Sequence, residues 1–302
     1  MTGLYAQNSN HFVRIDNCLI HEPLLEDIRK EVLKILNSCD LSLYDHKTKK
    51  GLRYLYLRHL DNSVQMCLVT GNDHLRKEII DDLKKIKNLK SLYQCVNTAK
   101  NSVDIFTNKM IHLYGDKKIS FKVEDLKISL SIKSFYQLNT NQAKNLYKKV
   151  IEKLDGNEEL IVEAYCGVGV MSLLASEKAK EIVGIEYLPE AINNANNNAK
   201  VNKISNVSFK CGDAGEMIKK LFKHRHIDTL IVDPPRMGLL DNMIETLLKA
   251  KIDKIIYVSC NPATLAKNLN DLSRKYYVES IEAFDMFSAT SHVESLTVLK
   301  RK

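Results

Sequence analysis

Hydrophobic positions along this chain follow two different patterns. Up to about residue 120 the pattern is mixed. Leu24, Leu25, Ile28, Val32, Leu33, Ile35 and Leu36 recur near helical spacing and predict an amphipathic helix over 23–36. Residues 52–58 and 64–69 are rich in β-branched and aromatic side chains and predict two strands, joined by a turn at 61–63. A charged helix over 73–89 and extended segments over 91–96 and 105–114 complete the region. The reading is a small α+β unit with antiparallel pairing.

From residue 141 onward short apolar runs alternate with helical patterns. Helices are predicted over 141–154, 171–178, 189–202, 214–222, 243–250 and 262–274. Strands are predicted over 160–165, 181–186, 207–210, 229–232, 254–258, 277–284 and 294–300. Such alternation predicts a mostly parallel sheet with helices on both faces. The fold class is therefore α/β, with an α+β domain at 1–125 and a larger domain at 126–302. No internal repeat or low-complexity linker interrupts the chain, although Asn193-Asn-Ala-Asn-Asn-Asn198 is compositionally odd.

Composition changes this picture only slightly. With 302 residues and 44% hydrophobic content, the chain can bury one large core or two ordinary ones. No apolar run approaches the ~20 residues of a membrane span. The first residues lack the basic and apolar regions of a secretory signal, so a cytoplasmic protein is expected. The seven cysteines include no Cys-x-x-Cys pair, which disfavours a zinc site or a disulfide framework. A net charge of +8 suits a polyanion such as RNA, and an Asn-, Lys- and Ile-rich composition is an equally simple source of it.

Candidate chemistry sits at the ends of the predicted strands, where open α/β sheets bind ligands. Gly167-Val-Gly169 follows the first strand of the larger domain and opens a helix. Glycines there tolerate positive φ and let a ligand approach the backbone. The third glycine of the dinucleotide fingerprint is missing, which disfavours a nicotinamide cofactor. Glu186 ends the next strand, suited to both hydroxyls of a ribose, and Asp213 follows the third, suited to an adenine edge. Either is also an ordinary strand-end carboxylate beside a helix N-terminus. Asp233-Pro-Pro-Arg236 follows the fourth strand, and its prolines stiffen a loop carrying a carboxylate and a guanidinium. Cys260 precedes a helix beginning near Pro262, whose dipole is expected to favour the thiolate. A thiolate there could add to C6 of a pyrimidine and make C5 nucleophilic toward a methylsulfonium. A buried apolar cysteine is the plain alternative, and it is the reading preferred for Cys166.

In order along the chain, Phe135-Tyr-Gln-Leu-Asn139, Tyr165-Cys-Gly-Val-Gly169, Asp233-Pro-Pro-Arg236, Ser259-Cys-Asn-Pro262 and His292-Val-Glu294 carry a family signature. Together they resemble the RNA 5-methyluridine (uracil-C5) methyltransferases of the RumA/TrmA-like family, which act on 23S ribosomal RNA or tRNA. The resemblance runs through nearly the whole chain. It implies a Rossmann-like sheet dependent on S-adenosyl-L-methionine (SAM), a smaller RNA-facing domain, and a monomer. It implies that Gln137, Tyr165, Gly167, Gly169, Glu186, Asp213 and Asp233 contact SAM or shape the site. By the same resemblance Arg236, Phe135 and His292 face RNA, Cys260 is the nucleophile, and Glu294 is the base, with Asp233 in the same catalytic group.

The chain departs from that pattern in places. Ser288 stands where proline is frequent, and Met237 replaces a frequent lysine. RumA-like members also carry a TRAM β-barrel and a [4Fe-4S] centre. Cys18 matches the last cluster cysteine, whose three partners would lie upstream; one cysteine cannot hold four irons, so no cluster or other metal is expected. The smaller domain is expected to be incomplete at its N-terminus, as a piece of a longer protein or a shortened relative. The match at Cys18 points to ribosomal RNA over tRNA. An amino-group methyltransferase is disfavoured because Arg236 replaces the aromatic that follows the prolines in that class. A cytosine-C5 enzyme is disfavoured by the lack of a Pro-Cys pair on that loop, and a non-catalytic RNA-binding remnant has no need of Cys260 and Glu294.

Overall fold

The computed structural model describes residues 2–6, 9, 11–39, 41–100, 104–288 and 290–302. Positions 7, 8 and 10 of the N-terminal stretch matched to the family, and position 289 of the 287–294 segment, lie outside the described residues. The chain divides into two compact units, Met1–Ile119 and Ser120–Lys302.

The first unit begins with an antiparallel pair, β1 (Gly3–Tyr5) and β2 (Phe12–Arg14), followed by α1 (Pro23–Ser38). Then come β3 (Leu52–Leu60), β4 (Ser63–Thr70), α2 (Lys77–Leu83), β5 (Leu89–Val96) and β6 (Met110–Gly115). Ile28, Val32 and Leu36, at helical spacing on α1, pack with Val64, Met66 and Leu68 of β4 and Leu92 of β5. Two expectations need correction. The pairing is mixed, because the α2 crossover makes β4 and β5 parallel while β3–β4 and β5–β6 are antiparallel. The helix predicted over 73–89 is only seven residues long. Its later apolar positions, Ile86 and Leu89, reach the core through turns, and Asn88 takes a left-handed φ of 64° before β5.

The boundary between the units falls within β7 (Lys118–Val123), which pairs with β8 (Leu126–Ser131) in a hairpin that the sequence analysis above does not include. The second unit continues with α3 (Thr140–Glu152), β9 (Glu158–Ala164), α4 (Val170–Leu174), β10 (Ala179–Glu186), α5 (Pro189–Val201), β11 (Val207–Cys211) and α6 (Ala214–Leu221). After these come β12 (Thr229–Val232), α7 (Asp241–Lys249), β13 (Lys254–Ser259), α8 (Pro262–Leu272), β14 (Tyr276–Phe284) and β15 (Glu294–Arg301). The helix expected over 171–178 closes at Leu174 and leaves a single 3-10 turn before β10.

Seven strands form one sheet in the order β11-β10-β9-β12-β13-β15-β14. Val162, Val183, Leu230 and Ile255 of its central strands are buried, as expected for a parallel sheet covered on both faces. Strands β9 to β13 pair in parallel, and β15 runs antiparallel between β13 and β14. The architecture is that of a Rossmann-like α/β sheet. Strand order reverses between β9 and β12, and in such sheets that reversal opens a crevice beyond the carboxyl ends.

Candidate active site

Strand order places the candidate residues in a row along the carboxyl edge. Asp213 follows β11, Glu186 ends β10, Gly167 and Gly169 follow β9, Asp233 follows β12, and Cys260 follows β13. Glu294 joins the same row although it begins a strand. Because β15 is antiparallel, its first residues lie at the carboxyl end of β13, with Ser295 paired to Ser259.

The glycine turn builds one half of the site. Tyr165 takes a left-handed φ of 64°, and Gly167 and Gly169 have φ of 54° and 84°. A Cβ on Gly169 would strike the Phe209 ring at 2.5 Å, whereas one on Gly167 would meet nothing within 4 Å. Gly169 is thus required by packing, and Gly167 leaves a bare backbone facing open space. Glu186 accepts from the Gly167 N–H at 3.2 Å and from the Leu188 N–H at 2.9 Å, which fixes its carboxylate beside the turn. Phe135, Gln137, Tyr147, Glu163, Gly167 and Asp233 are among the walls of one cavity here. Phe135 is exposed and Gln137 half-buried. Asn139 closes this wall: it caps α3 by accepting from the Gln142 N–H and donates to the Met286 carbonyl at 2.8 Å. Asp213 caps α6 by accepting from the Glu216 N–H at 3.0 Å, the structural role that its position allowed.

The second half surrounds Cys260. The Pro-Pro loop is tied to α8, because the Arg236 carbonyl accepts from Asn261 Nδ2 at 3.1 Å and Thr264 Oγ1 at 3.2 Å. Beyond it, Gly238 turns with φ 75° against Asn268, a buried side chain that brackets Leu239 and accepts from the Tyr257 hydroxyl at 2.9 Å. The Arg236 guanidinium lies 3.3 Å from His292 Nδ1, so these two exposed residues meet from loops 56 positions apart.

Electrostatics corrects one expectation. Cys260 lies beside a helix N-terminus, yet burial and the neighbouring carboxylates of Glu294 and Asp233 push its thiol above the ordinary range, with Arg236 opposing them. The helix end has little left to offer: Pro262 has no N–H, and the Asn261 side chain takes that of Ala263. Burial and Glu294 push Asp233 up to about 7, and burial pushes Glu294 up as well. Glu294 Oε2 is buried without a hydrogen-bond partner among the described residues. Glu163, which the sequence analysis did not single out, is fully buried on β9, accepts from the Ser172 hydroxyl, and is pushed up to about 8 by burial. Its visible signal was an acidic residue inside the apolar run Leu160-Ile-Val-Glu-Ala164. Cys166 is buried and its thiol is pushed well up, as a packing cysteine would be.

Other polar groups lie elsewhere. Cys18 is in the first unit, half-buried and near Arg29. Among the described residues, His226, Asp228 and Asp253 form the group best spaced for a metal. They sit at the amino ends of β12 and β13, where His226 Nε2 contacts Asp253 at 2.8 Å and Asp228 at 3.7 Å. No described helix is long and apolar enough to cross a membrane.

Comparison with known proteins agrees with this geometry. Residues 3–302 match the family described as tRNA (Uracil-5-)-methyltransferase, and the chain belongs to that family. Curated relatives include an "Uncharacterized RNA methyltransferase" of Bacillus cereus, 37% identical over 99% of this chain and 67% of its own length. Another carries the same description in Caldanaerobacter subterraneus, 38% identical over 100% of this chain and 68% of its own length. This chain therefore spans about two thirds of those relatives. Among solved structures, Pyrococcus abyssi tRNA (uracil-54, C5)-methyltransferase in complex with S-adenosyl-L-homocysteine aligns with a TM-score of 0.79 and 28% identity, over 96% of this chain and 70% of that one. Trm5b from Pyrococcus abyssi aligns with a TM-score of 0.56 and 15% identity, over 87% of this chain and 79% of that one, a likeness of fold.

Proposed function

We propose that this member of the tRNA (uracil-5-)-methyltransferase family transfers a methyl group from SAM to C5 of a uridine in RNA. The observation that carries the reading is the antiparallel insertion of β15. It brings Glu294 to the strand end that bears Cys260, next to Asp233 and the glycine-turn cavity.

The cavity suits SAM. Gly167 offers bare backbone, Glu186 a carboxylate held beside it, and Glu163 and Asp233 two acids in the wall. Burial raises the affinity of those acids for protons, and a sulfonium and an ammonium bound beside them would favour their charged forms. SAM, when bound, supplies an electrophilic methyl group.

The residues then divide the work. The Cys260 thiol gives its proton to solvent, and the thiolate sulfur forms a bond to C6 of the uracil as the C5–C6 double bond opens and moves electron density to C5. That density forms the C5–methyl bond as the methyl leaves its sulfur. Glu294 takes the C5 proton, the C5–C6 double bond re-forms, and the Cys260 thiolate departs. Arg236 counters the negative charge that Glu294 and Asp233 turn toward Cys260. Phe135, exposed at the cavity wall, offers a face for a base, and Arg236 with His292 offers cationic and polar contacts.

Ribosomal RNA is the proposed substrate, from the match at Cys18. A second reading, tRNA, is favoured by the described activity of the Pyrococcus abyssi enzyme. One experiment tests all three points: nucleoside mass spectrometry of unmodified ribosomal RNA and tRNA incubated with protein and SAM. 5-Methyluridine in ribosomal RNA is expected. Its appearance in tRNA alone would reverse the substrate, and its appearance in neither, with SAM binding demonstrated, would leave the non-catalytic RNA-binding reading.

A further inference from the structure

Two members of the asparagine run on α5, Asn194 and Asn198, and Asn202, which caps the helix C-terminus, serve one structure. Asn194 Nδ2 donates to the hydroxyls of Ser131 at 3.0 Å and Ser134 at 2.8 Å. Asn198, fully buried, accepts from the Ser129 N–H at 2.9 Å and donates to the Ser129 carbonyl at 3.1 Å. Asn202 accepts from the Lys127 N–H and donates to the Lys127 carbonyl, both at 2.8 Å. Residues four apart on the helix therefore meet residues two apart on β8. The steps match because four helical residues advance about 6 Å and two strand residues about 6.7 Å. Asn198 also donates to the Val168 carbonyl at 3.1 Å, which ties the hairpin to the glycine turn.

The clamp holds a hairpin with two unlike faces. Phe121, Val123, Ile128 and Leu130 are buried, and Phe121 packs edge-on against Tyr136 with centroids 4.6 Å apart. Lys122 and Lys127 are exposed on the other face. A two-residue connection, Glu124-Asp125, requires antiparallel strands, and the Ser120 and Ser129 hydroxyls meet at 2.6 Å. Both place Lys122 opposite Lys127. Like charges directly opposite are unfavourable in a ribbon by itself. Lys203, also exposed, follows Asn202 and extends the basic edge; Glu124 and Asp125, at the turn, are the acidic groups of the hairpin tip. From this edge β8 leads directly into the Phe135–Asn139 wall of the cavity.

We propose that the edge formed by Lys122, Lys127 and Lys203 docks the phosphate backbone of the RNA substrate, and that the asparagine clamp holds it in one frame with the SAM cavity. The proposal rests on RNA being the substrate. Charge complementarity selects the occupant: an array of lysine heads over small serines fits a flexible polyanion.

The test replaces the three lysines with glutamine and titrates a fluorescent oligouridylate across a salt series, with SAM affinity measured separately as a check on folding. Each lost single-strand phosphate contact lowers the slope of log K against log salt by about 0.7, so a decrease of about 2 is expected for the variant. Arginine at the same positions should keep the wild-type slope. An unchanged slope in the glutamine variant overturns the proposal, and so does a wild-type protein that does not bind the oligouridylate. Methylation without a slope difference would remove the docking surface alone. A slope difference without methylation would leave the surface standing and remove the proposed reaction.

Discussion

The two ends of the large sheet handle charge in opposite ways. At the amino ends, charged groups are paired. Lys254 meets Asp155 at 2.7 Å, Arg225 makes a two-pronged pair with Glu181, and Glu158 accepts three backbone N–H groups at Asp155, Gly156 and Asn157. At the carboxyl ends, Glu163, Asp233, Glu294 and Cys260 crowd together with raised proton affinities, and Arg236 is the cation that opposes the thiol's shift. Pairing of the first kind stabilises a fold modestly. Burying acids close together disfavours their charged forms, and such clusters mark sites poised for a ligand or a proton transfer. The contrast predicts that substitutions at the two ends will affect different properties.

The largest effect is expected at Cys260. Cys260→Ala should reduce methylation on the order of 10⁴-fold or more, the scale of losing a covalent nucleophile, with thermal unfolding little changed. Methylation at the wild-type rate would exclude thiolate addition. Glu294→Gln should slow turnover by about 10²- to 10⁴-fold and accumulate a protein–RNA adduct visible on a denaturing gel. Absence of the adduct would remove Glu294 as the base.

Next is a pH effect on the ligand-free protein. Glu163 rises from 4.5 to about 8 and Asp233 from 3.8 to about 7 on folding, so the native state holds more protons than the unfolded chain between those values. The stability these two groups contribute is full below their unfolded values and is lost as pH rises through about 7 to 8. Chemical denaturation across this range should show the decline, and Glu163→Gln should flatten it. A stability that rises with pH would refute the assignment.

A smaller effect is expected in thiol reactivity. Asp233→Asn removes a negative neighbour, so Cys260 should react with iodoacetamide faster at a given pH, whereas Arg236→Ala should slow it. The reverse order would refute the charge assignment. The smallest effect belongs to the amino end. Arg225→Ala should cost below about 1 kcal/mol in a denaturant titration and leave methylation unchanged, since exposed pairs contribute little.

Much of this was legible in linear order. The alternation of apolar runs and helical patterns marked the parallel sheet, and the glycine turn, the Pro-Pro loop and Cys260 announced themselves by sitting after apolar runs. The α2 region was misjudged because periodicity does not distinguish a continuing helix from turns that deliver the same apolar side chains to the core. The β7–β8 hairpin was legible but not read: 118–123 alternates polar and apolar residues and a two-residue connection follows, whereas its packing partner α5 is not named by its own residues. The asparagine run was visible as an oddity, but its meaning required seeing which backbone atoms lie four helical residues apart.

Local patterning decides where strands and helices form and which side chains terminate them, because propensity and periodicity act over a few residues. It does not decide that Glu294, at the start of a strand, stands beside Cys260, at the end of another. That follows from the antiparallel entry of β15 between β13 and β14. Nor does it decide proton affinity: a helix N-terminus beside Cys260 suggested a lowered thiol, and burial with two nearby carboxylates reverses the direction. Both properties depend on groups that are distant along the chain and adjacent in space, and only the folded sheet brings them together.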